Sequence, residues 1–152
     1  VAAYANDNWS QPNLQPARED IELTLKDVTV NTFVENLQKN ITTDSLDFDI
    51  QVLNGDSSEL GKKDFKHNVN IIFYDGDNSE RKMVEFFRNM LEFTDKVFTL
   101  IIDDANIEDN VRITKTFIED NDIKILYERE LLNDLEDPKM WWNGLYVLVL
   151  AK

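Results

Sequence analysis

Three continuous apolar runs, each about the length of one strand, constrain this chain more than anything else in its sequence. They are Asn70 to Tyr74, Val97 to Ile102 and Leu145 to Leu150. A strand that is apolar on both faces must be covered on both, as in the middle of a mostly parallel sheet. Between and around them lie segments with helical spacing. One follows Ser79 and places Met83, Phe86, Phe87, Met90 and Leu91 on one face. A second spans Glu108 to Asp120 and does the same with Val111, Ile113, Thr114, Phe117 and Ile118. Strand and helix alternate from Leu46 onward, which predicts βαβ units and an α/β fold.

The remaining strands rank themselves by polarity. Leu46, Phe48, Ile50 and Val52 alternate with Asp47, Asp49 and Gln51, so the run 46–53 has one wet face and belongs near an edge. Val1 to Ala5 and Ile123 to Tyr127 are short strands. Pro12 and Pro16 mark a loop, and Phe33, Val34 and Leu37 put a helix at Val30 to Lys39. The piece between them is ambiguous, because Ile21, Leu23 and Leu25 alternate like a strand. At 152 residues this is a single domain's length, and 42% hydrophobic residues can fill a core.

Charge and composition exclude some partners. Thirty acidic residues against sixteen basic ones give a net charge of −14, which repels nucleic acid and anionic lipid. No apolar run approaches the roughly 18 residues of a membrane span. There is no cysteine, so disulfides, thiolate metal sites and a cysteine nucleophile are excluded, and a reducing cytoplasm fits.

In open α/β sheets ligands bind beyond the carboxyl ends of the strands, and here those ends are acidic. The first strand leads to Asp7, the second to Asn54-Gly55-Asp56-Ser57, the third to Asp75 and Asp77, and the fourth to Asp103 and Asp104. Such a row of carboxylates suits a ribose diol or a hard divalent cation. Any one of these aspartates could equally be a strand stop or helix cap; the set together points to a site.

The same residues carry a family resemblance. Asn-Ile-Ile-Phe-Tyr-Asp-Gly-Asp-Asn-Ser at 70–79 resembles the fourth-strand signature of class I S-adenosylmethionine-dependent methyltransferases, with Asn78 where His is usual. Ala5-Asn6-Asp7-Asn8-Trp9-Ser10 resembles the end of their second strand, Leu53 to Ser57 the turn after the third, and Ile101 to Asn106 the Asp-Asp end of the fifth. Trp141-Trp142-Asn143-Gly144-Leu145-Tyr146-Val147 resembles the start of their last, antiparallel strand.

The resemblance implies a three-layer, Rossmann-like fold with strand order 3-2-1-4-5-7-6. It implies S-adenosylmethionine as cofactor, with Asp7, Trp9, Asp56, Ser57 and Asp75 in its binding site, and a small-molecule acceptor. In the metal-dependent branch it further implies Mg²⁺ held by Asp75, Asp103 and Asp104.

The glycine-rich turn of this family has no counterpart here. Gly55, Gly61, Gly76 and Gly144 are the only glycines, and none precedes Asp7. The family's first strand is therefore expected upstream of Val1, whose apolar start reads as a trimmed end. Without that strand the sheet should rearrange, leave its first segment mobile, or be completed by a neighbouring chain, as in a homo-oligomer.

Two other functions compete. Asp75-Gly76-Asp77 is also the Asp-x-Asp pattern of metal-dependent nucleotide-sugar transferases, and a non-catalytic, truncated family member would keep the fold alone. The remaining polar features read as surface: His67, the single histidine, lies in a polar turn, and Lys62, Lys63 and Lys66 form a solvated cluster. Trp141 and Trp142 read as packing over the end of the sheet or as walls of a substrate pocket.

Overall fold

The structure is a computed structural model that describes residues 2–7, 49–132 and 143–152. The chain divides into two compact units, 1–57 and 58–152. The expected helix at Val30 to Lys39, together with Trp9, Trp141 and Trp142, lies outside the described residues.

The first unit contains a parallel pair, β1 (Ala2–Asp7) and β2 (Asp49–Asn54). Its register runs from Ala2 opposite Asp49 to Asp7 opposite Asn54, so both strands end at the same level. Gly55 follows at φ 143, a conformation that glycine adopts without strain.

The second unit holds β3 (Val69–Tyr74), α1 (Glu80–Phe93), β4 (Thr94–Asp103), α2 (Glu108–Asp120), β5 (Lys124–Leu131) and β6 (Leu145–Ala151). The sheet order is β3-β4-β6-β5. β3 and β4 are parallel, and β6 is antiparallel to both β4 and β5. The fold is thus α/β with a mixed four-stranded sheet, in which β3 and β4 pair in parallel and the last strand is reversed. Both crossovers, β3-α1-β4 and β4-α2-β5, move the same way across the sheet. Right-handed connections then put both helices on one face.

That face is the core. Tyr146, Leu148 and Leu150 of β6 and Leu100 and Ile102 of β4 are fully buried there. The helices supply Met83, Phe87, Met90 and Phe117, and Tyr74 of β3 sits 4.8 Å from Phe86 and 5.9 Å from Phe87, ring to ring. Phe87 in turn meets Phe117 at 5.4 Å, locking the two helices together. α1 ends under a cation: the Lys152 ammonium donates to the Leu91 and Thr94 carbonyls, where the negative end of the helix dipole favours it. Among the described residues no helix is long and apolar enough to cross a membrane.

Two strand readings need correction. β3 was expected at the centre, but among the described residues it pairs only with β4, and Ile71 and Phe73 on its outward face are 63% and 57% exposed. β5 runs on to Leu131, well past the expected end at Tyr127. Its polar stretch is held to the sheet by side chains rather than by burial. Lys115 of α2 reaches Glu128 and Glu130 at 2.9 and 2.8 Å, and the Tyr146 hydroxyl donates to Glu128 at 2.8 Å. These contacts hold the Glu128 carboxyl below the usual carboxylate range, the Lys115 bond first and the Tyr146 bond second.

β6 enters the sheet through Asn143 and Gly144, both left-handed, at φ 64 and 71. A Cβ at Gly144 would sit 2.5 Å from Asn106 Oδ1 and 2.9 Å from the Leu131 carbonyl oxygen. Gly144→Ala therefore meets both a φ penalty and a clash. It should cost more than about 2 kcal/mol in urea unfolding, and a loss under 1 kcal/mol would contradict this view of the turn.

Candidate functional site

The carboxyl ends of β3 and β4 and the start of β6 share one edge of the sheet, because Tyr74 pairs with Ile102 and Asp103 with Leu145. Three polar segments meet there: the loop after β3, the turn after β4, and Asn143.

The first is the Asp75 to Asn78 loop, which folds back over its own strand. The Tyr74 hydroxyl donates to the Asp77 carbonyl at 2.8 Å, and a Cβ on Gly76 would lie 2.9 Å from the Tyr74 ring. Glycine is needed here for close approach. The loop then feeds α1, where Ser79 occupies the cap position. The Ser79 side chain makes no cap bond; the Asp77 carboxylate accepts from the Ser79 amide at 2.8 Å instead. The second aspartate of the Asp-Gly-Asp pattern therefore acts as a turn acceptor.

Asp104 ties the segments together. It adopts the left-handed conformation at φ 58. Its Oδ2 accepts from Asn78 Nδ2 at 2.7 Å, and its Oδ1 accepts from Asn143 Nδ2, also at 2.7 Å. A carboxylate only accepts, so both amide nitrogens must face it. Its carbonyl takes the Ile107 amide at 2.9 Å and the buried Asn110 side-chain amide at 3.3 Å. Asn106 N donates to the Asn143 carbonyl at 2.6 Å, and Ala105 N to that of Gly144 at 3.3 Å.

Asp103, the last residue of β4, is half-buried. Desolvation pushes its carboxyl up from the ordinary value; the Asp104 backbone amide opposes this, and the Asp104 charge adds to it.

The metal expectation does not fit this geometry. Among the described residues no group of three or more His, Asp or Glu side chains is placed to hold a metal ion. Asp75, Asp103 and Asp104 are neighbours along the edge, but both Asp104 oxygens are committed to asparagine amides. The same observations leave the nucleotide-sugar reading, which needs a metal at Asp75 and Asp77, without support.

The expected cofactor residues fall in both units. In the first, Asp7 ends β1, and Asp56 and Ser57 follow the Gly55 turn; in the second, Asp75 is exposed just beyond β3. Asn78 was expected as a substitute for His, and it is the residue that reaches Asp104. In the sequence, Asn143 stands out only as part of the last-strand motif. The Asn-Gly pair at 143–144 was the signal that could have marked a left-handed turn there.

No protein-family model matches this sequence, and no curated protein does. Among solved structures, the chain resembles one from Pyrococcus horikoshii described as a "putative RNA methyltransferase", with a TM-score of 0.47 and 16% identity. The match covers 81% of this chain but 57% of the other, so the chain spans little more than half of that protein. A likeness this distant transfers no residue role.

Two outcomes follow from the Asp104 clasp. Asp104→Gly keeps the backbone conformation and loses both bonds, which should cost about 1–3 kcal/mol. Asp104→Ala should cost about 1 kcal/mol more, for the left-handed backbone; equal losses in urea unfolding would show that the backbone is unstrained. At Asp103 the raised pKa means that the folded state binds the proton more tightly than the unfolded one. Stability therefore falls as pH rises from the unfolded carboxylate value through the folded one. Asp103→Asn should raise Tm at neutral pH, and the gain should vanish in acid below the ordinary carboxylate value. A gain that is independent of pH would contradict this.

Proposed function

We propose that this chain is a methyltransferase-type α/β domain that binds S-adenosylmethionine at the carboxyl ends of its strands and directs its methyl group to an oxygen of a small acceptor. The observation that carries the reading is β6, antiparallel between β4 and β5. This is the reversed last strand implied by the motif at 141–147, beside the β3-β4 pair implied by the motifs at 70–79 and 101–106. The parallel pair β1–β2, with Asp7 level with Asn54, matches the order implied for the second and third strands.

The donor set suits such a cofactor. Asp7 supplies a carboxylate that can accept both hydroxyls of a ribose. Asp56 and Ser57 would present polar groups to the adenine, and Trp9 an aromatic wall. Bound there, S-adenosylmethionine would supply an electrophilic methyl group for in-line displacement by an acceptor oxygen. The clasp around Asp104 anchors the loop carrying Asp75 through Asn78. Asp103 and Asp75 are the carboxylates at this edge to which an acceptor hydroxyl could give its proton. The net charge of −14 favours a small acceptor over a polyanion.

Calorimetry with S-adenosylhomocysteine tests the reading. The folded chain should bind it, and Asp7→Ala should weaken binding about 10- to 100-fold through loss of hydrogen bonds to a charged acceptor. A folded chain that gives no binding heat would overturn the proposal.

A further inference from the structure

Asn143 and Gly144, the corner by which β6 enters the sheet, are also an Asn-Gly pair, a sequence prone to lose ammonia from its side chain. The reaction needs only neighbouring atoms and water. The Gly144 amide nitrogen bonds to Asn143 Cγ and gives up its proton, and Nδ2 leaves as ammonia. Water then opens the succinimide ring to aspartate or isoaspartate, so a neutral amide becomes a carboxylate. Glycine in the following position favours ring closure, because no Cβ shields the attacking nitrogen. The chain has one other such pair, Asn54-Gly55.

Closure requires the Gly144 nitrogen to swing onto Cγ, which means turning Asn143 about both its side chain and its ψ bond. The corner holds both. Asn143 Nδ2, the leaving group, donates to Asp104 Oδ1 at 2.7 Å, a charge-assisted bond. The Asn143 carbonyl accepts from the Asn106 amide at 2.6 Å, and that of Gly144 from the Ala105 amide at 3.3 Å. These contacts keep the backbone in its left-handed turn at φ 64. Reaction therefore has to await local opening of the corner.

The product is incompatible with the same contacts. A carboxylate accepts and does not donate. An oxygen in place of Nδ2 would face Asp104 Oδ1 at hydrogen-bond distance with no proton between them, and two carboxylates that close cannot both stay charged. Isoaspartate also lengthens the main chain by a methylene, which shifts the carbonyl that Asn106 holds.

We propose that Asn143 is a deamidation site held in check by Asp104, and that its conversion is an irreversible switch that opens the clasp. Asn78 keeps the other oxygen of Asp104, so what is released is the entry of β6. The inference stands on the contacts of this corner and is independent of the methyltransferase reading.

Peptide mapping by mass spectrometry, after incubation in mildly alkaline buffer, reads both Asn-Gly pairs in one digest. Asn143 should react at least about 10-fold more slowly in the folded chain than in the same buffer with unfolding guanidinium chloride. Asp104→Gly, with circular dichroism unchanged, should speed the reaction at Asn143 and leave that at Asn54 as it was. Asn143→Asp makes the product directly. Its carboxyl pair binds a proton more tightly folded than unfolded, so it should be less stable than the unmodified chain at neutral pH, and the difference should narrow in acid. The proposal is overturned if Asn143 reacts as fast folded as unfolded, if Asp104→Gly leaves its rate unchanged, or if Asn143→Asp loses no stability at neutral pH.

Discussion

Asp104 accepts a hydrogen bond on each carboxylate oxygen, one from Asn78 and one from Asn143, and the carboxyl edge of the larger sheet hangs on that pair of contacts. Asn78 belongs to the loop after β3, Asp104 to the turn after β4, and Asn143 to the entry of β6. One charged group thus fixes three chain segments that are remote in sequence. Charge-assisted bonds of this kind are stronger than neutral ones and more directional than packing. The left-handed backbone at Asp104 and Asn143 aims the side chains at one another. Gly144 then allows β6 to enter against Leu131 and Asn106, where no side chain fits.

The reversal of β6 follows from that corner. A strand entering beside Asp103 at the carboxyl edge must run back toward the amino ends of β4 and β5, and its pairing with both makes it the most enclosed strand of the sheet. Its core-facing side chains, Tyr146, Leu148 and Leu150, are completely buried. The aromatic cluster of Tyr74, Phe86, Phe87 and Phe117 then seats both helices on the same face. Turn chemistry at the edge and packing beneath the sheet support each other, as expected of a consistently specified fold.

Much of this was legible in the residues. The helix at Glu108–Asp120 has the expected limits, and the runs at 97–102 and 145–150 became the two interior strands, although among the described residues only the helix-covered face of each is buried and Val97 on the other is 50% exposed. The same pattern placed β3 at the centre as well, since pattern reports what a strand is built to face and not what pairs with it. β5 was read short because Glu128 and Glu130 look like a strand end until Lys115 and Tyr146, distant in sequence, are seen to hold Glu128. The site was legible as a row of acids, but their roles were not. Asp103-Asp104 suggested metal ligands. The residues that claim Asp104 lie 26 and 39 positions away, a separation at which neutral asparagines leave no local signal.

The reading of both fold and function rests on β6 lying between β4 and β5. Cross-strand nuclear Overhauser effects measure that arrangement directly. Contacts should link the backbone of Leu148 to Leu100 on one side and to Glu128 on the other, in the antiparallel pattern. Contacts joining β4 directly to β5, with β6 outside them, would contradict the account.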